Sequence, residues 1–179
     1  MKNKSLKNTV LAAMFIGIGL VLPFFTGQLR NIGNMLLPMH IPVLLCGLIC
    51  GWQYGLLIGF LLPVMRSSLF SMPVMYPNAL AMAFELATYG FTVGFLYSHS
   101  NRQCVKSLYI CMLSAMIAGR IVWGFAEIVL LGLKNSTFTF SAFISGALLN
   151  SIPGIILQLI LIPAIMVALN KAKLVMFKK

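Results

Sequence analysis

Aspartate does not occur in this sequence, and glutamate occurs only at Glu85 and Glu127. A general acid–base pair of carboxylates has no other members to draw on. The two histidines, His40 and His99, do not make a typical zinc site, and there is no HExxH. There is no GxxxxGKS/T, which excludes ATP hydrolysis through a phosphate-binding loop, and no GxSxG for a serine nucleophile. No two of the four cysteines are spaced as CxxC. Cys46 and Cys50 lie one turn apart in an apolar stretch and, with Cys104 and Cys111, read as small buried hydrophobes, as the 12 methionines read as packing. Charged residues make up 8% of the 179 positions and hydrophobic ones 60%, with a mean hydropathy of +1.00. A water-soluble fold of this length has too little polar surface to cover that much apolar side chain. Lipid is therefore the expected solvent, and the length is that of one domain, spanning 1–179.

Against the two acids stand 13 basic residues, for a formal charge of +11. Such a balance can mark nucleic-acid binding. Here there is no soluble basic domain, and the charges gather at the ends of apolar runs, so no nucleic-acid partner is expected. A spanning helix needs about 20 apolar residues. Six candidates follow: 6–25, the short 36–50, 54–70 broken by Pro63, 77–97 with Pro77 at its first turn, 108–131, and 140–169 interrupted or kinked at Pro153 and Pro163. The expected fold is an all-α membrane protein, a compact bundle of six transmembrane helices. The first run follows Lys2, Lys4 and Lys7 but closes on no small-x-small cleavage site, and reads as a retained helix. No internal repeat is evident, which argues against an inverted-repeat carrier. With the N-terminus inside, the N-tail, the 98–107 loop and the C-tail are cytoplasmic. They hold Lys2, Lys4, Lys7, Arg102, Lys106, Lys171, Lys173, Lys178 and Lys179, whereas the outer loops keep Arg30 and Lys134. That asymmetry places both termini in the cytoplasm.

Ionisable residues inside spans are costly and mark function by default. Arg66, Glu85, Arg120 and Glu127 qualify, and His40 lies near the start of the second span. At ~1.5 Å per residue, Glu85 lies roughly 13 Å and Arg120 roughly 16 Å below the outer face. The two are thus expected to pair across helices or to flank a ligand, with Arg66, Glu127 and His40 higher. Arg120, Trp123, Gly124 and Glu127 share one helix face, Glu85 and Tyr89 are one turn apart, and Asn150 and Gln158 add amides. Converging polar groups in the outer half fit a site for a small polar molecule. Each has a plainer reading: a structural ion pair for Glu85 and Arg120, an interfacial anchor for Trp123, helix-bonding amides for Asn150 and Gln158, and an interface histidine for His40.

The segments Leu37-Pro38-Met39-His40-Ile41-Pro42-Val43-Leu44-Leu45-Cys46-Gly47 and Gly51-Trp52-Gln53-Tyr54-Gly55-Leu56-Leu57-Ile58-Gly59 resemble the substrate-binding S components of energy-coupling factor (ECF) transporters. So do Phe84-Glu85-Leu86-Ala87-Thr88-Tyr89-Gly90 and Ala118-Gly119-Arg120-Ile121-Val122-Trp123-Gly124, and the similarity covers nearly the whole chain. The resemblance implies a substrate-binding subunit in a prokaryotic plasma membrane. It would take a vitamin or precursor from outside, then dock on a membrane coupling subunit with two cytoplasmic ATPases and topple to release its cargo. It implies no cofactor in this chain, ATP being used by the partner ATPases, and no enzymatic activity. Docking in that family uses small residues on the first helix, for which Ala13 and Gly17 fit a small-xxx-small spacing. The following loop, with Gln28, Arg30 and Asn31, corresponds to the lid. The expected substrate-binding residues are His40, Arg66, Glu85, Tyr89, Arg120, Trp123, Glu127 and Asn150. Arg66 and Arg120 hint at an anionic or strongly accepting substrate, which favours pantothenate and leaves pyridoxine, a hydroxymethylpyrimidine or a folate-like compound open. The residues also fit two other classes. One is a self-contained ion-coupled carrier or channel using Glu85 and Arg120, and the other a membrane-embedded enzyme with Glu85 or Glu127 as base.

Overall fold

A computed structural model describes residues 2–25, 37–100, 103–133 and 151–173. Among them six helices follow in order: α1 (Lys2–Phe25), α2 (His40–Cys50), α3 (Trp52–Phe70), α4 (Leu80–His99), α5 (Val105–Leu133) and α6 (Ile152–Lys171). Five, α4 being counted with the turn that precedes it, are long and apolar enough to cross a membrane. The exception is α2, whose 11 residues rise only about 16 Å. It lies inside the bundle, packed by α1, α3, α4 and α6, and all its residues except Ile49 are buried. The all-α membrane bundle expected from hydropathy is thus present.

Each helix end has a local cause. Gly51 links α2 to α3 at φ +101°, a conformation that L side chains rarely adopt, so the two helices join through a single residue. Ser71 closes α3 in the left-handed region and donates its N–H to Ser67 O, while Ser67 Oγ donates to Pro73 O at 2.7 Å. The chain then makes one wide turn, Met75–Ala79, with Tyr76 extended and both Met72–Pro73 and Tyr76–Pro77 cis. Regular α4 therefore starts at Leu80, not at Pro77. Tyr76 Oη donates to Leu130 O, tying this turn to the far end of α5. Pro153 sits at the start of α6, where its missing N–H costs nothing, and residues 134–150 of the long sixth candidate lie outside the described residues. Pro63 and Pro163 stay inside their helices, as bundle packing permits in lipid.

Contacts at the two ends show α1 and α3 running parallel, with α2 antiparallel to both. Phe24 meets Phe70 edge-on at 4.9 Å at one end, and Asn8 donates to Cys50 O at 3.2 Å at the other. Central α4 packs on α2, α3 and α5. One apolar cluster joins Leu44, Tyr89, Val93, Met112, Ala115 and Ile162; a second joins Ala12, Val43, Cys46, Ile58, Leu62 and Leu86. Cys46, Cys50 and Cys111 are buried and free, as packing residues. The outside is apolar: Phe125 is 69% exposed and Ile121 64%, whereas Glu85 is 2% exposed. Apolar residues outward with carboxylates inward is the arrangement lipid demands.

Candidate functional site

The interior of the bundle gathers charge from three helices. Glu85 of α4 lies 3.0 Å from Arg120 Nη1 of α5 and 3.6 Å from His40 Nε2 of α2. Tyr89, one turn further along α4 than Glu85, sets its ring 5.1 Å from that of His40, and both are 1% exposed. The pairing of Glu85 with Arg120 expected from helix depth is therefore present. The expectation that His40 sits higher is overturned. The depth estimate took the second helix to begin at residue 36, near the outer face; the helix begins at His40, well inside the bundle, which puts the imidazole level with Glu85.

Glycine makes this convergence possible. A Cβ on Gly119 would overlap the Tyr89 ring, so the residue before Arg120 lets α5 close onto α4. The α5 stripe also has the expected orientation. Gly124 and Glu127 are buried and Trp123 is half-buried, while Ile121, Phe125 and Ile128 face outward. Glu127 stands seven residues beyond Arg120, ~10 Å along the helix, and among the described residues no hydrogen bond or ion pair joins it to the cluster.

Arg66 makes its contacts elsewhere. Its Nη1 donates to Leu20 O of α1 at 2.9 Å, and its guanidinium lies 5.4 Å from the Phe24 ring and 5.7 Å from the Phe70 ring. Since Gly59 packs on Leu86, Arg66 is displaced ~10 Å from that level toward Phe70. It is a caged cation at one end of the bundle. Asn150 and the proposed lid residues Gln28, Arg30 and Asn31 lie outside the described residues. Gln158, noted in the sequence as an amide on the last helix, is 1% exposed, and its Nε2 makes no hydrogen bond among the described residues. No group of three metal-ligating side chains occurs among the described residues.

The first helix is the least covered. Ala12 and Gly19 face inward, with Gly19 against Leu62, whereas Ala13 and Gly17 lie on the outward face with Val10, Met14 and Val21. Nothing lies within 4 Å of a Cβ placed on Gly17.

A search of curated proteins and a search of solved structures return no match. A family model described as the substrate-specific component of ECF transporters matches residues 7–166. That span contains His40, Glu85, Tyr89, Arg120 and Gln158. The chain is thus a multi-pass membrane protein and the substrate-binding subunit of an importer, not an enzyme. By this match over most of its length, it belongs to the ECF transporter substrate-specific component family.

Proposed function

We propose that the chain captures a water-soluble vitamin or vitamin precursor outside a prokaryotic cell and releases it inside after docking on a membrane coupling subunit that carries two cytoplasmic ATPases. Its site is the His40–Glu85–Arg120 cluster with Tyr89, walled by Trp123 and, toward the outer end, by Glu127 and Arg66. The observation that carries this reading is the meeting of three ionisable side chains from three helices in a largely apolar interior. Burying them costs several kcal/mol in lipid, a cost that function explains better than stability does. Arg120, only 13% exposed beside Glu85, favours a substrate with an anionic or strongly accepting group, and pantothenate has one. The chain needs no cofactor of its own, since ATP is spent by its partners. Basic residues at the N-tail, the 98–107 loop and the C-tail support cytoplasmic termini in the plasma membrane, with the loop holding Gln28, Arg30 and Asn31 as an external lid.

Small molecules co-purifying with the detergent-solubilised chain, identified by mass spectrometry, test the reading directly. A single bound vitamin, and uptake of that vitamin only when the ATPases can hydrolyse ATP, is the expected result. A folded chain that carries nothing and supports uptake without ATP would instead be a self-contained carrier.

Docking makes a separate prediction. The outward Ala13–Gly17 face, beside a shallow apolar groove of Gly17, Ile18, Val21 and Leu22, allows close backbone approach by a partner helix. Gly17→Trp is expected to abolish recovery of the coupling subunit on affinity purification and to cut uptake at least about tenfold, with vitamin binding retained, because a bulky ring there blocks helix contact. Wild-type uptake by this variant would move the docking face elsewhere.

A further inference from the structure

Arg120 turns only part of its guanidinium to Glu85. The contact is through Nη1, at 3.0 Å. Its Nε and Nη2 are buried and make no hydrogen bond among the described residues. In a planar guanidinium, Nε–H and one Nη2–H lie parallel on the same edge, the geometry that grips both oxygens of a carboxylate. Buried donors left unmade are costly, so an edge held in this state marks a place for an acceptor. Two other side chains carry the same sign. Both ring nitrogens of His40 and the Nε2 of Gln158 are buried without hydrogen bonds among the described residues, on side chains each 1% exposed. Gln158 lies on α6, which packs on both α2 and α5, the helices that carry His40 and Arg120.

The unmet capacity is rich in donors. Glu85 Oε1 is also buried without a hydrogen bond among the described residues, but it already lies 3.0 Å from Arg120 Nη1 and 3.6 Å from His40 Nε2, so an ammonium group on a substrate would have to enter against the guanidinium. A phosphate dianion would set two charges against Glu85, where a carboxylate sets one. A planar monoanion matches the open edge in shape and charge.

Resting on the reading of the chain as a substrate-binding subunit, we propose that its substrate is a small carboxylic acid whose carboxylate seats on the Nε–Nη2 edge of Arg120. Glu85 is a positioning residue: it holds the guanidinium by Nη1 from behind and does not touch the substrate. His40 and Gln158 hydrogen-bond the hydroxyl or amide groups that the same acid carries. Arg66, caged by Phe24, Phe70 and the Leu20 carbonyl, is not the carboxylate's partner.

The test is isothermal titration of the full-length chain in detergent with matched pairs that differ in the charged group: pantothenate and panthenol, nicotinate and nicotinamide, biotin and its amide. Riboflavin, pyridoxine and thiamine serve as vitamins without a carboxylate. One acid is expected to bind, with its uncharged partner weaker by at least about 100-fold, as for sites built around a polar group that the analogue lacks. Arg120→Lys keeps the charge but loses the fork; it is expected to shrink that acid-to-neutral ratio at least about tenfold, a change that a merely structural role would not produce. Glu85→Gln is expected to weaken the acid while leaving the ratio above about tenfold, since the amide oxygen of the new side chain is an acceptor that can occupy the same place against Nη1. Equal binding of an acid and its neutral partner, or tight binding of a vitamin without a carboxylate, overturns the carboxylate assignment and leaves the substrate-binding reading standing. No binding of any compound by a folded chain overturns both. If Arg120→Lys does not fold, the wild-type ratio decides alone.

Discussion

Glu85→Ala is expected to destabilise the bundle by about 3–5 kcal/mol, the usual cost of removing one partner from a buried ion pair. The carboxylate is 2% exposed and is the acidic partner of Arg120, so the variant strands a guanidinium that is itself only 13% exposed. It also takes the neighbouring carboxylate away from His40, which already has no hydrogen bond on either ring nitrogen among the described residues. Thermal unfolding in a mild detergent reads the effect. The decisive comparison is the double variant Glu85→Ala with Arg120→Met. Removing both charges replaces an ion pair with apolar packing, which is often neutral or better. The double variant is therefore expected to unfold closer to wild type than Glu85→Ala alone, with a coupling of at least about 1.5 kcal/mol, the range for contacting residues. A Glu85→Ala protein within about 1 kcal/mol of wild type would mean the pair is solvated, and would remove the burial on which the site rests.

Helix existence and the identity of the ion pair were legible because both follow from one-dimensional quantities. Hydropathy locates spans, and a rise of ~1.5 Å per residue converts sequence position into depth, which was enough to match Glu85 with Arg120. The face shared by Arg120, Trp123, Gly124 and Glu127 was legible for the same reason, since 3.6-residue periodicity carries straight into the side that faces inward. Depth failed for His40 because a helix of 11 residues does not begin at the membrane surface, and nothing in the apolar run 36–50 says where the first turn forms. Arg66 was legible only as a charge within a span. Its partners are a backbone carbonyl on α1 and two phenyl rings, and backbone acceptors leave no mark in a sequence. The role of Gly119 was also hidden. A glycine in an apolar helix reads as a generic small residue until the ring that occupies its missing Cβ is known.

The same point about glycine gives the other large expected effect, at the crossing of α3 and α4. A Cβ on Gly55 would lie 2.6 Å from Gly90 O and 2.8 Å from the Cα of Gly47, and one on Gly90 would overlap the carbonyl of Gly55. All the opposing atoms are backbone, so no side chain can swing away, and three helices must separate instead. In lipid, where apolar association gains little from excluding solvent, close backbone contact is a main source of helix affinity. Gly55→Val and Gly90→Val are each expected to cost at least about 3 kcal/mol, beyond ordinary overpacking, or to prevent folding. Gly17→Ala and Gly132→Ala provide the internal control, because nothing lies within 4 Å of either added methyl. They are expected to be neutral or to stabilise by up to about 1 kcal/mol through helix propensity. Because Gly90 lies five residues beyond Glu85 on α4, and Gly47 seven beyond His40 on α2, splaying this crossing also pulls the 3.6 Å His40–Glu85 approach apart. Gly55→Ala, the milder change, should then weaken substrate binding more than its loss of thermal stability alone explains. Unfolding midpoints and binding titrations on these glycine variants decide it. If Gly55→Val and Gly90→Val melt with Gly17→Ala, the α3–α4 crossing is not the joint that sets the site, and the charged cluster must be held by α5 alone.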